Sequence, residues 1–214
     1  YRQPINWTVK GLEDAEKALA SFFDAASAEA EARPAPPVLE ALADDLNTPL
    51  TNRALMAAIE PGSTVKTIVG IGAITQGEIA VDGTIECTGH LVLDGKTYAR
   101  PRCWTMSMFE AAHHTVPYNA PHPTGSLTFT DALERSCNIY FETVGDRLRL
   151  EGLGHWMKQF GLGQQTGIGL PEARGAIPKP GRHERSEAWY AAIGQGPVLA
   201  TPIQVCQSMA ALAD

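Results

Sequence analysis

Apolar residues recur at helical spacing over residues 12–32, where Leu12, Ala15, Leu19, Phe22, Phe23 and Ala26 share one face of an Ala- and Glu-rich stretch. This pattern predicts a single amphipathic helix, with the Phe22/Phe23 stripe as core packing. Arg33-Pro34-Ala35-Pro36-Pro37 ends it, because proline lacks an N–H donor and pushes the preceding residue out of helical geometry. A shorter helix is expected over 38–45. Alternation replaces helical spacing over 84–98 and predicts a hairpin turning at Asp94-Gly95, a dipeptide suited to positive backbone angles. A loop rich in Pro, His and aromatic residues follows over 100–123, of a length that is often functional. Helical patterns return over 131–149 and 153–160, with Gly161 as a stop. Residues 167–178 read as extended, and 202–213 as a last helix.

Composition places this pattern in a globular class: 44% of the 214 residues are hydrophobic and 19% charged, enough apolar content for one core. A net charge of -7 argues against a nucleic-acid surface or a basic membrane-binding face. The most apolar run, 65–74, is interrupted by Lys66 and too short to span a bilayer, and Tyr1-Arg2-Gln3-Pro4 does not begin a secretory signal. The chain divides into an Ala/Glu-rich helical segment, 1–48, with its Pro-rich break at 33–37, and a second region, 49–214, in which 81–128 forms the hairpin and a long loop insertion.

Candidate chemistry concentrates in two short motifs. In Ser63-Thr64-Val65-Lys66, directly after Pro61-Gly62, a lysine stands three residues beyond a serine, which on a helix puts a base on the same face as a hydroxyl nucleophile. Ser63 in the first helical turn would also bring free N–H groups and a positive dipole end to an oxyanion. Helix capping is the competing explanation. With eight Ser and six Lys in the chain, chance alone gives about 0.2 such matches, so the motif needs a companion. Ser136-Cys137-Asn138 supplies one, in a run over 127–141 that reads as helix, short break, helix, so that Ser136 and Asn138 fall on a turn. An Asn amide can hold a substrate peptide group while a second Ser hydroxyl relays a proton, although any lone S-x-N is more often a local cap.

The words around both motifs decide between these readings. Pro49-Leu50-Thr51-Asn52-Arg53-Ala54-Leu55 leads into Pro61-Gly62-Ser63-Thr64-Val65-Lys66. Downstream stand Phe160-Gly161-Leu162-Gly163, Thr166-Gly167-Ile168-Gly169-Leu170-Pro171, Ile193-Gly194-Gln195-Gly196 and Ala200-Thr201-Pro202-Ile203-Gln204. In this order they resemble the transpeptidase domain of class B penicillin-binding proteins, most closely the elongation-type subfamily, over residues 49–213. The resemblance implies Ser63 as acylated nucleophile, Lys66 as general base, and Ser136 and Asn138 as proton-shuttling and substrate-holding partners. It implies peptidoglycan stem peptides and β-lactams as ligands, a membrane glycan polymerase and elongation complex as partners, no nucleic acid, no cofactor for catalysis, and a place on the periplasmic or extracytoplasmic face of the inner membrane. The family's K-T-G triplet does not occur in the sequence, which leads to the expectation of a fragment or degenerate copy. The fold implied is α+β: the mostly helical part of a penicillin-binding protein/β-lactamase-like transpeptidase fold, with much of the central antiparallel sheet missing. A D,D-transpeptidase is the leading function. A non-catalytic remnant, β-lactam sensor or scaffold module, and a related D,D-carboxypeptidase or β-lactamase, are the alternatives.

Cys87, Cys103 and Cys137 lie in one region with His113, His114 and His122, and three thiolates with an imidazole make a tetrahedral zinc site. Cys87, Cys103, Cys137 and His122 are the candidate ligands of a structural zinc. Cys137, the middle residue of the second motif, is expected to point away from the cleft, so a metal there would hold the turn from behind. Some elongation-type members of the family carry metal ligands at corresponding places, with carboxylates and a His-Gly pair where this chain has Thr124-Gly125. A Cys87–Cys103 disulfide and unlinked buried thiols stay open beside it. Cys206 is expected in the core, His155 as an exposed helix histidine, the glycines of 160–170 as turn residues, and Trp104, Trp156 and Trp189 as packing residues; Glu86 and Glu110 have no carboxylate partner for acid/base work.

Overall fold

The structure, a computed structural model, describes residues 40, 41, 44, 48, 50–104, 125–181 and 184–213. The helices expected over 12–32 and 38–45, the end of the loop before residue 125, and His122 with it, lie outside the described residues, save for helical positions at 40, 41 and 44. The chain separates into two compact units at Thr51/Asn52.

The second unit is mixed helix and strand. It opens with α1 (Arg53–Met56), continues through a 3-10 turn (Gly62–Val65) into α2 (Lys66–Thr75), then β1 (Ile85–Cys87), β2 (His90–Leu93), β3 (Lys96–Arg102) and β4 (Gly125–Leu127). Helices α3 (Phe129–Glu134), α4 (Asn138–Gln159), α5 (Glu184–Ala191) and α6 (Pro202–Ala213) complete it. Among the described residues the strands form two antiparallel ribbons, β1 with β4 and β2 with β3, rather than one broad sheet. No helix among them is long and apolar enough to cross a membrane.

The hairpin is shorter and later than the alternation suggested. Asp94 and Gly95 do make its turn, both at positive φ (53° and 73°), but β2 pairs with β3 from Leu93↔Lys96 out to His90↔Arg102, with an irregularity between His90 and Val92. Residues 85–87 belong elsewhere: β1 pairs with β4 in the register Ile85↔Leu127, Glu86↔Ser126, Cys87↔Gly125. Alternation reports which face a residue presents and not its partner across the ladder, so a strand pairing nearly forty residues on leaves no local trace.

Helix α4 is the spine. Ile139, Tyr140, Phe141, Val144, Leu148, Leu150, Leu153 and Met157 are all buried along it, each contributing about 1.5–3 kcal/mol relative to an exposed position. The two helical patterns expected on either side of residue 150 meet at a break within α4, where Arg149 takes the non-helical φ 63°, ψ 171°. Gly161 (φ 85°) follows its end. Helix α5 crosses the spine at Gly145, whose missing Cβ would stand 2.6 Å from both the Ala188 carbonyl oxygen and the Ala192 Cβ. The same crossing is held by Arg185, which donates to Asp146 (2.7 and 3.0 Å) and to Asp94 at the hairpin turn (2.7 Å), and by Trp189 Nε1, which donates to Asp146 at 2.8 Å. Cys206 departs from its expected place: it is exposed, because α6 turns Gln204 and Ser208, one helical turn apart, inward.

Replacing Gly145 by Val is expected to wedge α5 away from α4 and cost about 1–3 kcal/mol, read as a lowered denaturation midpoint with unchanged m-value.

Candidate active site

The turn carrying Ser136 is built by the stop signal of α3. That helix begins with a capping box, in which Thr128 Oγ1 accepts from Asp131 N and the Asp131 carboxylate accepts from Thr128 N. It ends with Ser136 N donating to Leu133 O (3.1 Å) and Cys137 N donating to Ala132 O (2.8 Å), the paired bonds of a Schellman motif. The residue that must go left-handed there is Ser136, at φ 53°. A non-glycine residue in this region costs about 1–3 kcal/mol, and the cost is met where a side chain has a placement to gain. Cys137 then caps α4, its Sγ accepting from Tyr140 N at 3.4 Å, and Asn138 is the first residue of that helix. One turn thus aims Ser136 and Asn138 to one side and buries Cys137 on the other.

The other wall is the 3-10 turn Gly62–Val65 leading into α2. Ser63 is exposed and Lys66 is 1% exposed. Lys66 Nζ donates to Ser136 O (2.8 Å), Ser136 Oγ (2.9 Å) and Asn138 Oδ1 (2.7 Å), and lies 5.4 Å from the centre of the Phe141 ring. Ser136 Oγ in turn bonds Ser63 Oγ at 2.9 Å. The four residues of the two motifs therefore meet. The link differs from the direct one that serine–lysine spacing suggests: the amine reaches Ser63 through the Ser136 hydroxyl, because the turn before α2 is 3-10 rather than α and the amine is drawn to the three oxygens of the opposite turn.

Burial pulls the Lys66 ammonium down from 10.5 to about 8, opposed by Cys137, Glu142 and Cys103. A neutral amine has two N–H donors and one lone pair. Here the two amide-type oxygens, Ser136 O and Asn138 Oδ1, can take the hydrogens while the lone pair receives the Ser136 hydroxyl. The protonated form fits the same three oxygens as a three-fold donor, so a proton can arrive or leave without rearrangement.

Two residues to which motif reading gave no role shape this site. Gly194 (φ 71°) accepts from Gly62 N at 2.9 Å, and a Cβ on it would overlap the Gly62 carbonyl oxygen. With Gly196 N donating to Glu60 Oε1 at 2.8 Å, the 193–196 turn seats the segment that presents Ser63. Glu142 is the second: it is 0% exposed and neither carboxylate oxygen has a hydrogen-bond partner. A lone acid inside Ile139-Tyr140-Phe141-Glu142-Thr143-Val144, four residues beyond Asn138, was the available signal.

Behind the turn, the sulfurs of Cys87, Cys103 and Cys137 lie within 4.8 Å of one another, all buried and none in a disulfide. Hydrogen bonding with Cys103 pushes the Cys87 thiol up to about 11; hydrogen bonds with Cys103 and Cys87, with burial, drive Cys137 far higher.

This fold and these paired motifs are those of a penicillin-binding protein transpeptidase domain: the sequence model of that domain matches residues 23–214, and the chain belongs to that family. Its relatives include transpeptidases of the elongation type. Peptidoglycan D,D-transpeptidase MrdA of Escherichia coli K12 is 34% identical over 180 residues, 79% of this chain and 26% of that protein. MrdA of Acinetobacter baumannii is 29% identical over 182 residues, 81% of this chain and 25% of that protein. The chain thus spans about a quarter of the length of the curated relatives it matches. Among solved structures, Pseudomonas aeruginosa PBP2 in complex with WCK 5153 is similar with a TM-score of 0.69 and 27% identity, covering 84% of this chain and 39% of that one. Helicobacter pylori PBP2 in its complex with MreC gives a TM-score of 0.61 and 27% identity, covering 80% and 31%. The α+β architecture with small sheets matches part of these neighbours.

Replacing Gly194 by Ala is expected to break the Gly62 N–Gly194 O bond and raise hydrogen exchange at the Gly62 amide by about fivefold or more, read by native-state exchange.

Proposed function

We propose that this chain carries the acylating half-site of a peptidoglycan D,D-transpeptidase, with Ser63 as nucleophile, Lys66 as general base, Ser136 as proton relay and Asn138 as the group that holds both the amine and the substrate amide. The observation that carries the reading is the continuous Ser63 Oγ–Ser136 Oγ–Lys66 Nζ hydrogen-bond chain, ending on a buried amine. The bond between the two hydroxyls reverses by rotation about their C–O bonds. Ser63 then donates to Ser136 and Ser136 to the Lys66 lone pair. As the Ser63 oxygen attacks the carbonyl of a D-Ala-D-Ala stem peptide, its proton passes along this chain, and the carbonyl π electrons move to oxygen. Collapse breaks the peptide C–N bond, and Ser136 returns a proton to the departing amine. An acceptor amine on a second stem peptide releases the acyl group by the same steps in reverse, forming the cross-link. A β-lactam offers the same carbonyl and remains on Ser63.

By likeness to relatives of this type, the cross-linking takes place outside the cytoplasmic membrane, alongside a glycan polymerase; one neighbour is a peptidoglycan synthase complex and another a PBP2 bound to MreC. Labelling with a fluorescent penicillin tests the reading. Covalent label is expected on the native chain and absent from Ser63→Ala, with Lys66→Met slowed by about a hundred- to ten-thousand-fold. Because the base acts as the neutral amine, the labelling rate is expected to rise with pH through about 8. Folded protein that takes no label would favour the non-catalytic sensor or scaffold alternative, and rapid release of the label the carboxypeptidase or β-lactamase alternative.

We further propose that Cys87, Cys103 and Cys137 hold a structural zinc, with His122 as fourth ligand. The convergence of three buried sulfurs supports this. Zn–S bonds of about 2.3 Å at tetrahedral angles need sulfurs about 3.8 Å apart, against an outer limit of 4.8 Å here. Zinc supplies the positive charge that lets crowded thiols ionise, and it would fasten Cys137, and so the Ser136 turn, to the end of β1 and the residue after β3. Elemental analysis of protein purified without chelator is expected to give about one zinc per chain, lost in Cys137→Ser; a chain with zinc in neither form sinks this assignment.

A further inference from the structure

Among the described residues, Glu142 is a buried carboxyl left without a task. Its side chain is 0% exposed, and neither carboxylate oxygen has a hydrogen-bond partner. A buried carboxyl without partners is costly to keep. The helix places it with purpose. Asn138 and Glu142 are four residues apart on α4 and share a face, and Asn138 Oδ1 accepts from Lys66 Nζ at 2.7 Å. Glu142 is therefore one turn further along the helix face on which Asn138 holds the Lys66 amine, buried from solvent and close enough for the two groups to act on one another electrostatically.

The acylation proposed above makes a charge at that amine. When the Ser63 proton reaches Lys66 Nζ, the new ammonium is surrounded by Ser136 O, Ser136 Oγ, Asn138 Oδ1 and the Phe141 ring, none of them charged. An ammonium buried among neutral oxygens is poorly solvated. We propose that Glu142 is a positioning residue of this site, the buried counter-charge to the ammonium that forms on Lys66 during acylation. This rests on the acyl-serine reading. Glu142 touches neither substrate nor Ser63; it acts through the lysine alone.

The electrostatics run the same way. Burial pushes the Glu142 carboxyl up to about 8, with Lys66 lowering it and Cys103 raising it, and Glu142 in turn raises Lys66. The titratable groups facing this pair are Cys103, after β3, and Cys137, at the head of α4. Above pH 8 the carboxyl is ionised and Lys66 neutral, which is the combination that draws a proton onto the amine. At lower pH Lys66 already holds its proton and is no base.

Glu142→Gln keeps the shape and removes the charge. The test measures the rate of fluorescent-penicillin acylation against pH in the full chain, with native melting as a check on folding. Without the carboxylate Lys66 loses its proton more easily and holds a new one less well. The acid limb is expected to move down by about one pH unit, and the plateau to fall about tenfold. Glu142→Asp, which keeps the charge, is expected to leave the limb near its native place. A profile that superimposes on the native one, or a uniform loss with an unmoved limb, overturns the proposal, as does loss of bound zinc in Glu142→Gln without movement of the limb, which would assign the acid to the thiol cluster. NMR titration of ¹³C-labelled Lys66 gives a reading independent of acylation. Its pKa is expected to drop by about one unit in Glu142→Gln, and an unchanged value overturns the proposal. Native protein that takes no penicillin would count against the acyl-serine reading, and the NMR titration would still decide whether Glu142 governs the lysine.

Discussion

One buried amine organises the site. Lys66 is drawn almost wholly out of water, a position an alkyl-ammonium group tolerates only when every donor finds an oxygen. The three oxygens come from two residues of one turn on the opposite side of the core. Satisfying that single group therefore fixes α2 against the Ser136–Asn138 turn, where Ser136 takes the strained left-handed conformation. A glycine there would relieve the backbone, but it would remove the hydroxyl that joins the amine to Ser63.

The same turn is fastened on its other side. Cys137 caps α4 through Tyr140 N and packs its sulfur with Cys87 and Cys103, so the backbone between two polar site residues is held by a third that faces the opposite way. This explains why the ribbons matter although they are small. β1 ends at Cys87 and β3 runs out one residue before Cys103, whose N–H is bonded to Gly89 O at 2.8 Å. Their pairing delivers two sulfurs to one point that α4 supplies with the third. The wall carrying Ser63 is held with similar economy, by the Gly194 carbonyl at Gly62 and the antiparallel bridge of Ile59 with Ala200.

What the sequence disclosed was what is local or repeated. The four motif residues, the Asp94-Gly95 turn, the Gly161 stop and the last helix are all set by spacings of a few residues, and the structure has them where those spacings place them. What it hid depends on contacts across the chain. The partner of 85–87 is a strand at 125–127, the lysine reaches its serine through a hydroxyl seventy residues away, and Cys206 faces solvent because Gln204 and Ser208 take the inner face. Glu142 sat in plain view as an acid in an apolar run, yet only the packing of α2 against α4 brings it within electrostatic reach of an amine.

The site combines two environments within a few ångströms. Ser63 is at the water's edge, while Lys66 lies in the dry interior, where the charged form is disfavoured. A side chain cannot occupy both places, and a lysine touching an exposed serine directly would share its solvent and keep its proton. Placing Ser136 between them resolves the conflict, since a hydroxyl both donates and accepts and carries no charge of its own to be desolvated. The bridging hydroxyl is thus what separation of the proposed nucleophile and base requires, and the strained turn, its thiol anchor behind and the glycine latch at Gly62 are the means of holding a 2.9 Å contact across that boundary.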